Sequence, residues 1–331
     1  MNNNFKALVV NFDENKKIYR SIINRSIDQL PKGDVLIRVY YSSINYKDIL
    51  SASGNLGVTR KYPHTPGIDA AGIVVTSISD QFKKGDKVIV ISHDLGMNTP
   101  GGFGEYISVP SSWISKLPSN LTLKESMILG TAGFTAGICI QELLYQKITP
   151  DLGPIIVSGA TGGLGSIAIN ILSKLGYFVI ASSGKAESIN FLKLIGSSEI
   201  VGRDILDDNS KMPQLKERWI AGIDTLGGNS LSTMIKSCKK YGTIISTGNI
   251  ASQNLETSIL PFILRGIKLI GINSEYKNNL ERDFIWKQLA NAWKPDNLQD
   301  IVTLCPLNDL NNKIDNFLNG RQVGRVVVSL I

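Results

Sequence analysis

Cysteine and histidine are scarce, and their scarcity excludes whole classes of chemistry. The three cysteines, Cys139, Cys238 and Cys305, lie 99 and 67 residues apart, so no Cys-x-x-Cys zinc or redox motif exists. An odd cysteine count, behind a start (Met1-Asn2-Asn3-Asn4-Phe5-Lys6) without the apolar core of a secretory signal, predicts reduced thiols in a cytoplasmic chain. His64 and His93 are the only histidines. A helical His-Glu-x-x-His is therefore absent, and any Ser–His mechanism would have to use one of these two. Both stand beside loop residues (Pro63 and Pro66; Asp94 and Gly96), which predicts surface or hinge histidines. No charge-free apolar run reaches the roughly eighteen residues of a spanning helix, so no membrane partner is expected. Basic residues never run beyond pairs such as Lys16-Lys17 and Arg60-Lys61, without interleaved aromatics, which argues against nucleic acid as a partner.

What is present suits a globular chain of two domains, at about 150 residues per domain. Of the 331 residues 43% are hydrophobic and 19% charged, and the net charge of +7 fits a basic surface around a phosphate-bearing ligand. The first third is β-rich: Val35, Ile37, Val39 and Tyr41 alternate with other residues, and Gly72–Thr76 and Lys87–Ser92 are β-branched runs. From Leu123 helical texture begins. Strands then alternate with helices through Phe178–Ala181, Gly222–Leu226, Thr243–Ser246 and Lys268–Ile272, the mark of a parallel sheet. An amphipathic helix after Asn278 and a final strand, Arg325–Leu330, end the chain.

The sharpest local signal is the apolar stretch Pro154–Val157 running into Gly159-Ala160-Thr161-Gly162-Gly163-Leu164-Gly165. Leu164, Ala168, Ile171, Leu172 and Leu175 follow at helical spacing, and Gly176 stops the helix. Glycines at 159, 162 and 165 suit a tight turn, close approach of a pyrophosphate and close helix–strand packing. The helix N-terminus offers free N–H groups to the phosphates. An NAD site would place Asp or Glu about twenty residues on, to bind the ribose hydroxyls. Here that place holds Ala181-Ser182-Ser183-Gly184-Lys185, with no carboxylate before Glu187. Hydroxyls and a lysine suit a 2′-phosphate, and Arg203 stands ready to close the same pocket, so NADPH is the expected cofactor.

A β-rich front, a central dinucleotide unit and a returning tail resemble the medium-chain dehydrogenase/reductase superfamily. Four blocks narrow this: Ser43–Asp48, Pro63–Gly72, Gly130–Ala136 and Pro261–Gly266 are similar to the zinc-independent acrylyl-CoA reductase branch, whose members also carry the name quinone oxidoreductase. The resemblance implies an α/β fold, a Rossmann doubly wound parallel sheet (123–278) inserted in a GroES-like β-rich catalytic domain (1–122 plus 279–331), in a homodimer. It places cofactor contacts on Tyr46, Thr161, Gly162, Gly163, Leu164, Ser183, Gly184, Lys185, Arg203, Asn249, Ile263 and Ser274. Zinc-dependent relatives carry a Gly-His-Glu ligand motif where this chain has Gly67-Ile68-Asp69, and no metal is expected. Three departures stand out. Lys185 replaces a commoner arginine, Asn249 a commoner apolar residue, and the loop Asp94–Gly102 lacks a tryptophan near Pro100.

Without a Lewis acid, an isolated carbonyl is a poor hydride acceptor, but a conjugated enone or enoyl thioester needs less. Hydride adds to the β-carbon, charge moves to the carbonyl oxygen, and hydrogen-bond donors stabilise the enolate. Asn45 can supply an amide N–H, Tyr46 a phenolic proton, and Asp48 an orienting acceptor. The same four residues, Asn45–Asp48, also read as a helix start with Asn45 as its cap and Lys47 in solvent. Gly130–Ala136 reads either as backbone lying close to the nicotinamide or as a tightly packed interdomain helix. The interdomain cleft is the expected substrate site. Three functions remain open: NADPH-dependent reduction of a short enoyl-CoA such as acrylyl-CoA, NADPH:quinone or enone reduction, and non-catalytic NADPH binding.

Overall fold

Apolar residues in the first third recur at every second position, and the computed structural model, which describes residues 3–331, turns these stretches into strands. In chain order they are β1 (Asn4–Phe12), β2 (Ile18–Ser26), β3 (Val35–Ser43), β4 (Asp69–Ser77), β5 (Lys87–Ile91), β6 (Tyr106–Val109) and β7 (Ile114–Lys116), with α1 (Tyr46–Ala52) between β3 and β4. On β3, Val35, Ile37 and Val39 are buried and Leu36 and Arg38 half-buried. A register shift against β4 between Val39 and Tyr41 ends the alternation, and Ser42 and Ser43 both turn inward.

The helix α2 (Leu123–Tyr145) follows. By length and composition it is apolar enough to cross a membrane, which the sequence reading did not anticipate; 72% of its apolar window is buried inside the protein. A helix apolar all round is what a core position requires. Its backbone breaks at Gly130 (φ 52°, ψ −155°).

Strand and helix then alternate: β8 (Ile155–Val157), α3 (Gly163–Lys174), β9 (Val179–Ser182), α4 (Ile189–Leu194), β10 (Glu199–Val201), β11 (Trp219–Asp224), α5 (Gly228–Lys236), β12 (Cys238–Ser246), α6 (Leu260–Arg265) and β13 (Lys268–Gly271). The six strands are parallel, in the order β10-β9-β8-β11-β12-β13. Strand order reverses between β8 and β11, the switch point at which such sheets bind dinucleotides. All three residues of β8 are buried, as both faces of a parallel sheet must be.

The tail forms α7 (Asn279–Leu289), β14 (Val302–Pro306), α8 (Leu310–Leu318) and β15 (Arg325–Ser329). Asn278 caps α7 by accepting from the Glu281 N–H. β15 joins β3 antiparallel and β14 parallel, so the chain end completes the front sheet, β14-β15-β3-β4-β5-β7 with β6 on β3. β1 and β2 form a separate antiparallel ribbon.

The chain divides into two compact units. The first holds the front through Thr131, Asn278–Ala290 and Val302–Ile331; the second holds Ala132–Lys277 and Asn291–Ile301. Besides a one-residue shift that puts Asn278 in the first unit, these limits depart from 122/123 and 278/279 at two places. α2 stays with the first unit until just past the Gly130 break. Asn291–Ile301 packs with the second unit, where Asp296 meets Lys174 at 2.6 Å and Asn297 donates to the Leu194 carbonyl at 3.2 Å. Leu8, Val10, Ile37, Phe103 and Val328 anchor the first core, and Ile156, Trp219, Met234 and Ile244 the second. Each such side chain contributes roughly 1.5–3 kcal/mol by leaving water.

One expectation is overturned here. His64 is not a surface histidine: its backbone pairs in both directions with Val10 of β1, and the residue is buried. β1 covers a segment that looked like an open loop. His93 is half-buried and stacks on Trp113, with ring centroids 5.3 Å apart and planes 3° from parallel.

Candidate active site

In the first unit the β3 bulge and the amino end of α1 bring Ser43, Asn45 and Asp48 towards Asp69, the first residue of β4. The Asp69 carboxylate is fully buried. Its Oδ2 accepts from Ser43 Oγ (2.5 Å), Asn45 Nδ2 (2.8 Å) and the Thr131 N–H (3.0 Å), and its Oδ1 accepts from Thr131 Oγ1 (2.5 Å). Arg325, the first residue of β15, adds the opposite charge, with Nη2 3.8 Å from Asp69 Oδ2. The rest of its guanidinium is spent on Ser43 Oγ (2.8 Å), Asn45 Oδ1 (3.1 Å) and the carbonyls of Ile44 (3.2 Å) and Ile128 (2.8 Å). Burial lowers the pKa of Arg325, while Asp69 and Asp48 counter it. Gly130 completes the enclosure: a side chain there would collide with the Asp69 carboxylate, and its positive φ suits only glycine.

Asn45–Asp48 open α1, as the helix-start reading expects. Asn45 does precede α1 as its cap residue, and Asp48 Oδ2 accepts the Asn45 N–H at 2.7 Å. The Asn45 amide, however, spends one N–H on Asp69 and its oxygen on Arg325. Asp48 is fully buried, and its Oδ1 takes the N–H groups of Gly67 (3.1 Å) and Ile68 (2.8 Å), tying α1 to the chain entering β4. Tyr46 is 42% exposed at the first position of α1.

Burial and the adjacent Asp69 charge push Asp48 up to about 7, against three backbone N–H groups that favour its carboxylate. A carboxyl whose pKa is raised on folding stabilises the fold fully below its unfolded value, near 3.8, and loses that contribution as pH rises through about 7. Asp48→Asn should therefore show a smaller loss of stability than the parent between about pH 5 and about pH 8. Urea midpoints at the two pH values check this, and an unchanged difference would show that Asp48 does not titrate in that window.

These residues do not fit a zinc ion. Both Asp69 oxygens are occupied by Ser43, Asn45 and Thr131, with the Arg325 cation beside them. Among the described residues no three of His, Cys, Asp and Glu converge. Burial pushes the thiols of Cys139, Cys238 and Cys305 up, the last two to about 12 and about 11, away from the thiolate a metal needs. Exhaustive chelation should leave activity intact. Elemental analysis finding one zinc per chain, lost together with activity, would contradict the misfit.

In the second unit the glycine loop follows β8. Gly159 has φ 58° and packs on Thr225, and Gly165 presses α3 against the Gly159 carbonyl. Gly162 precedes α3 with little protein around the space a side chain would take. The helical ladder begins at the Ser166 N–H, which donates to the Gly162 carbonyl at 2.9 Å, so the N–H groups of Gly163, Leu164 and Gly165 stand ahead of it. Thr161 is buried at the base of this turn. Beyond β9, Ser183 N–H donates to Val201, and Ser183 Oγ accepts the Lys185 N–H at 3.1 Å. The Arg203 side chain lies directly over Gly184, where a Cβ would meet its Nε at 2.5 Å. Burial lowers the pKa of Lys185, Glu187 counters this, and Arg203 adds to it. Arg203, over Gly184, is thus close enough to Lys185 to act on its charge. Such a pocket fits a phosphorylated dinucleotide: helix N–H groups for the pyrophosphate and a double cation for a further phosphate.

Thr161–Leu164, Ser183–Lys185, Arg203 and Asn249 follow β8, β9, β10 and β12 and so share the carboxyl edge of the parallel sheet. Ser274 comes just after β13, half-buried. Ile263 differs, lying exposed on α6 ahead of β13. Sequence reasoning did not single out Ser43, Thr131 and Arg325 as partners of Asp69. It also missed Asp224, whose Oδ1 accepts from Ser158 Oγ (2.7 Å) and whose Oδ2 accepts from the Gly227 N–H (2.7 Å), bracing the strand ends beside the glycine loop. One signal was visible: a lone arginine opening the apolar run Val326-Val327-Val328 needs a buried partner.

Comparison with known proteins identifies the family. The family model of the alcohol dehydrogenase GroES-like domain matches residues 31–119, and that of the zinc-binding dehydrogenases matches 163–287. Acrylyl-CoA reductase AcuI of Ruegeria pomeroyi is 36% identical over 327 residues, 98% of this chain and 99% of its own. Putative quinone oxidoreductase YhfP of Bacillus subtilis is 40% identical over 306 residues, 92% of this chain and 93% of its own. Its structure with NAD bound gives a TM-score of 0.95 over 99% of both chains. The yhdH oxidoreductase of Salmonella enterica, in complex with NADP, is 34% identical with a TM-score of 0.95, over 98% of this chain and 100% of its own. The chain belongs to the medium-chain dehydrogenase/reductase superfamily of oxidoreductases, in the branch that holds acrylyl-CoA reductase and YhfP.

Proposed function

We propose that this oxidoreductase uses NADPH to reduce the carbon–carbon double bond of a short α,β-unsaturated acyl-CoA, acrylyl-CoA to propanoyl-CoA. The observation that carries the cofactor reading is the convergence of Lys185 and Arg203 beside Gly184, with no acid at the ribose position. NADP and NADPH in the solved YhdH relatives support it. Likeness to AcuI along nearly the whole chain supports the substrate class.

Bound NADPH would supply the hydride delivered to the β-carbon. The chain's own task is to hold the enone, stabilise the enolate oxygen and bring a proton to the α-carbon. Tyr46 is assigned the proton through its phenolic Oη, as the exposed ionisable group nearest the Asn45–Asp69 network in sequence. Asn45 is assigned the orienting role, its amide plane held by Asp69 and Arg325 so that its second N–H can point at substrate oxygen. Asp48 acts through the backbone, keeping α1 and therefore Tyr46 in place. The three buried free cysteines are in keeping with a reducing, cytoplasmic setting.

The 40% identity to YhfP favours a second reading, NADPH:quinone reduction with the same hydride step. NADPH consumption measured separately with acrylyl-CoA, crotonyl-CoA and benzoquinone separates the two. Acrylyl-CoA should give the highest kcat/KM, and Tyr46→Phe should lower its turnover more than its NADPH affinity. With NADPH kept saturating, salt should weaken thioester turnover steeply and quinone turnover little, because screening then acts on the phosphate contacts of the thioester alone. If benzoquinone is the better substrate, with the same salt response, the quinone reading takes the first place.

A further inference from the structure

Asp224 ends β11, next to β8 where the strand order reverses, and it is fully buried. Three donors converge on its carboxylate: Ser158 Oγ (2.7 Å) and the Leu226 N–H (3.3 Å) on Oδ1, and the Gly227 N–H (2.7 Å) on Oδ2. Burial raises its pKa, and these three donors work against that. Ser158, which leads into the glycine loop, also accepts the Thr225 N–H on its Oγ (2.9 Å). Thr225 Oγ1 in turn donates to the Ser158 carbonyl (3.1 Å). The Asp224 carbonyl accepts from both the N–H (2.9 Å) and the Oγ1 (3.0 Å) of Thr247, the first residue after β12. Farther along that loop, the N–H groups of Ala251 and Ser252 donate to the Leu226 carbonyl (2.9 and 3.2 Å). A side chain on Gly227 would collide with the Ser252 carbonyl, so these two loops pack backbone against backbone. One residue thus ties together the loops after β8, β11 and β12.

A dinucleotide lies across the point of reversal, with one mononucleotide half on each side. Ser183–Lys185 and Arg203 follow β9 and β10, on the side assigned to the phosphorylated adenosine half. No hydrogen bond of the Asp224 side chain reaches them. The loops it does hold follow β8, β11 and β12, the side left to the pyrophosphate and the nicotinamide half. We propose that Asp224 is a positioning residue for the nicotinamide half of the cofactor, acting through these three loops. The proposal rests on the NADPH reading above. A carboxylate suits the task because it accepts from all three donors, whereas an amide brings only one acceptor oxygen. Loops fixed in advance need not be ordered when the cofactor arrives, and a small misplacement of the reacting ring is costly.

The test compares the whole cofactor with its adenosine half. Calorimetry gives the Kd of NADPH and of 2′,5′-ADP, which carries the 2′-phosphate but no nicotinamide. Asp224→Ala should raise the NADPH Kd about tenfold or more and leave that of 2′,5′-ADP within about twofold. Asp224→Asn, which keeps one acceptor, should fall between parent and alanine variant. Ser158→Ala removes one donor and leaves the carboxylate, so it should show the same selectivity to a smaller degree. It keeps the test open if Asp224→Ala does not fold. A role confined to stability would lower the urea midpoint and move both affinities together, or neither. Equal fold-changes for the two ligands, or none for both, overturn the proposal. The parent's own affinities test the cofactor reading separately. If the parent does not bind 2′,5′-ADP, the 2′-phosphate pocket fails, and the same comparison is made with NADH and 5′-AMP.

Discussion

Asp69→Ala should destabilise the first unit by about 3–5 kcal/mol, the cost of removing one partner from a buried ion pair. The carboxylate is fully buried, and the Arg325 side chain is 3% exposed. Without Asp69, the guanidinium keeps only carbonyl, hydroxyl and amide oxygens, while Ser43, Asn45 and Thr131 lose their acceptor. Cavity formation is a minor part of the loss, because the side chain is small; the uncompensated charge dominates. Urea unfolding followed by tryptophan fluorescence reads the effect. The double variant Asp69→Leu with Arg325→Met should recover much of the stability, since apolar replacement of a whole buried pair is often near neutral. Its activity should stay low, because Asn45 would lose the two partners that orient its amide. A loss below about 1 kcal/mol in Asp69→Ala would place the network in water, since exposed pairs contribute only that much.

Arg203→Ala and Lys185→Ala should each raise the NADPH dissociation constant by about ten- to a hundredfold and change NADH binding little. One charge-assisted hydrogen bond is worth roughly 1.5–3 kcal/mol, and each 1.4 kcal/mol is about tenfold. Arg203 should show the larger effect: its planar fork lies over Gly184, whereas Lys185 is a single point charge partly offset by Glu187. Fluorescence titration with the two cofactors gives the ratio. Equal effects on NADPH and NADH would remove the 2′-phosphate from this pocket.

These two predictions rest on parts of the protein that were unequally legible from its sequence. The glycine loop was fully legible, because strand, turn and helix lie within about twenty consecutive residues and each obeys a local rule. The parallel strands were visible as apolar runs, though β12 begins at Cys238, ahead of the run at Thr243–Ser246, and β14 and α8 left no clear pattern. β14 sits at the sheet edge with Thr303 and Leu304 exposed, so its composition carries little apolar periodicity. His64 was misread because its burial comes from β1, more than fifty residues earlier.

The sequence alone settled the alternation of strands and helices, the turn chemistry at Gly159–Gly165, the missing ribose carboxylate and the shortage of zinc ligands. All of these follow from residue type and short-range spacing. Only the tertiary structure decided that Arg325 meets Asp69 and Asn45, 280 residues from the latter. That meeting depends on β15 pairing with β3 and on the β3 register shift that turns Ser43 inward. A buried charge states in the sequence that it needs a partner, but the register of distant strands chooses which one.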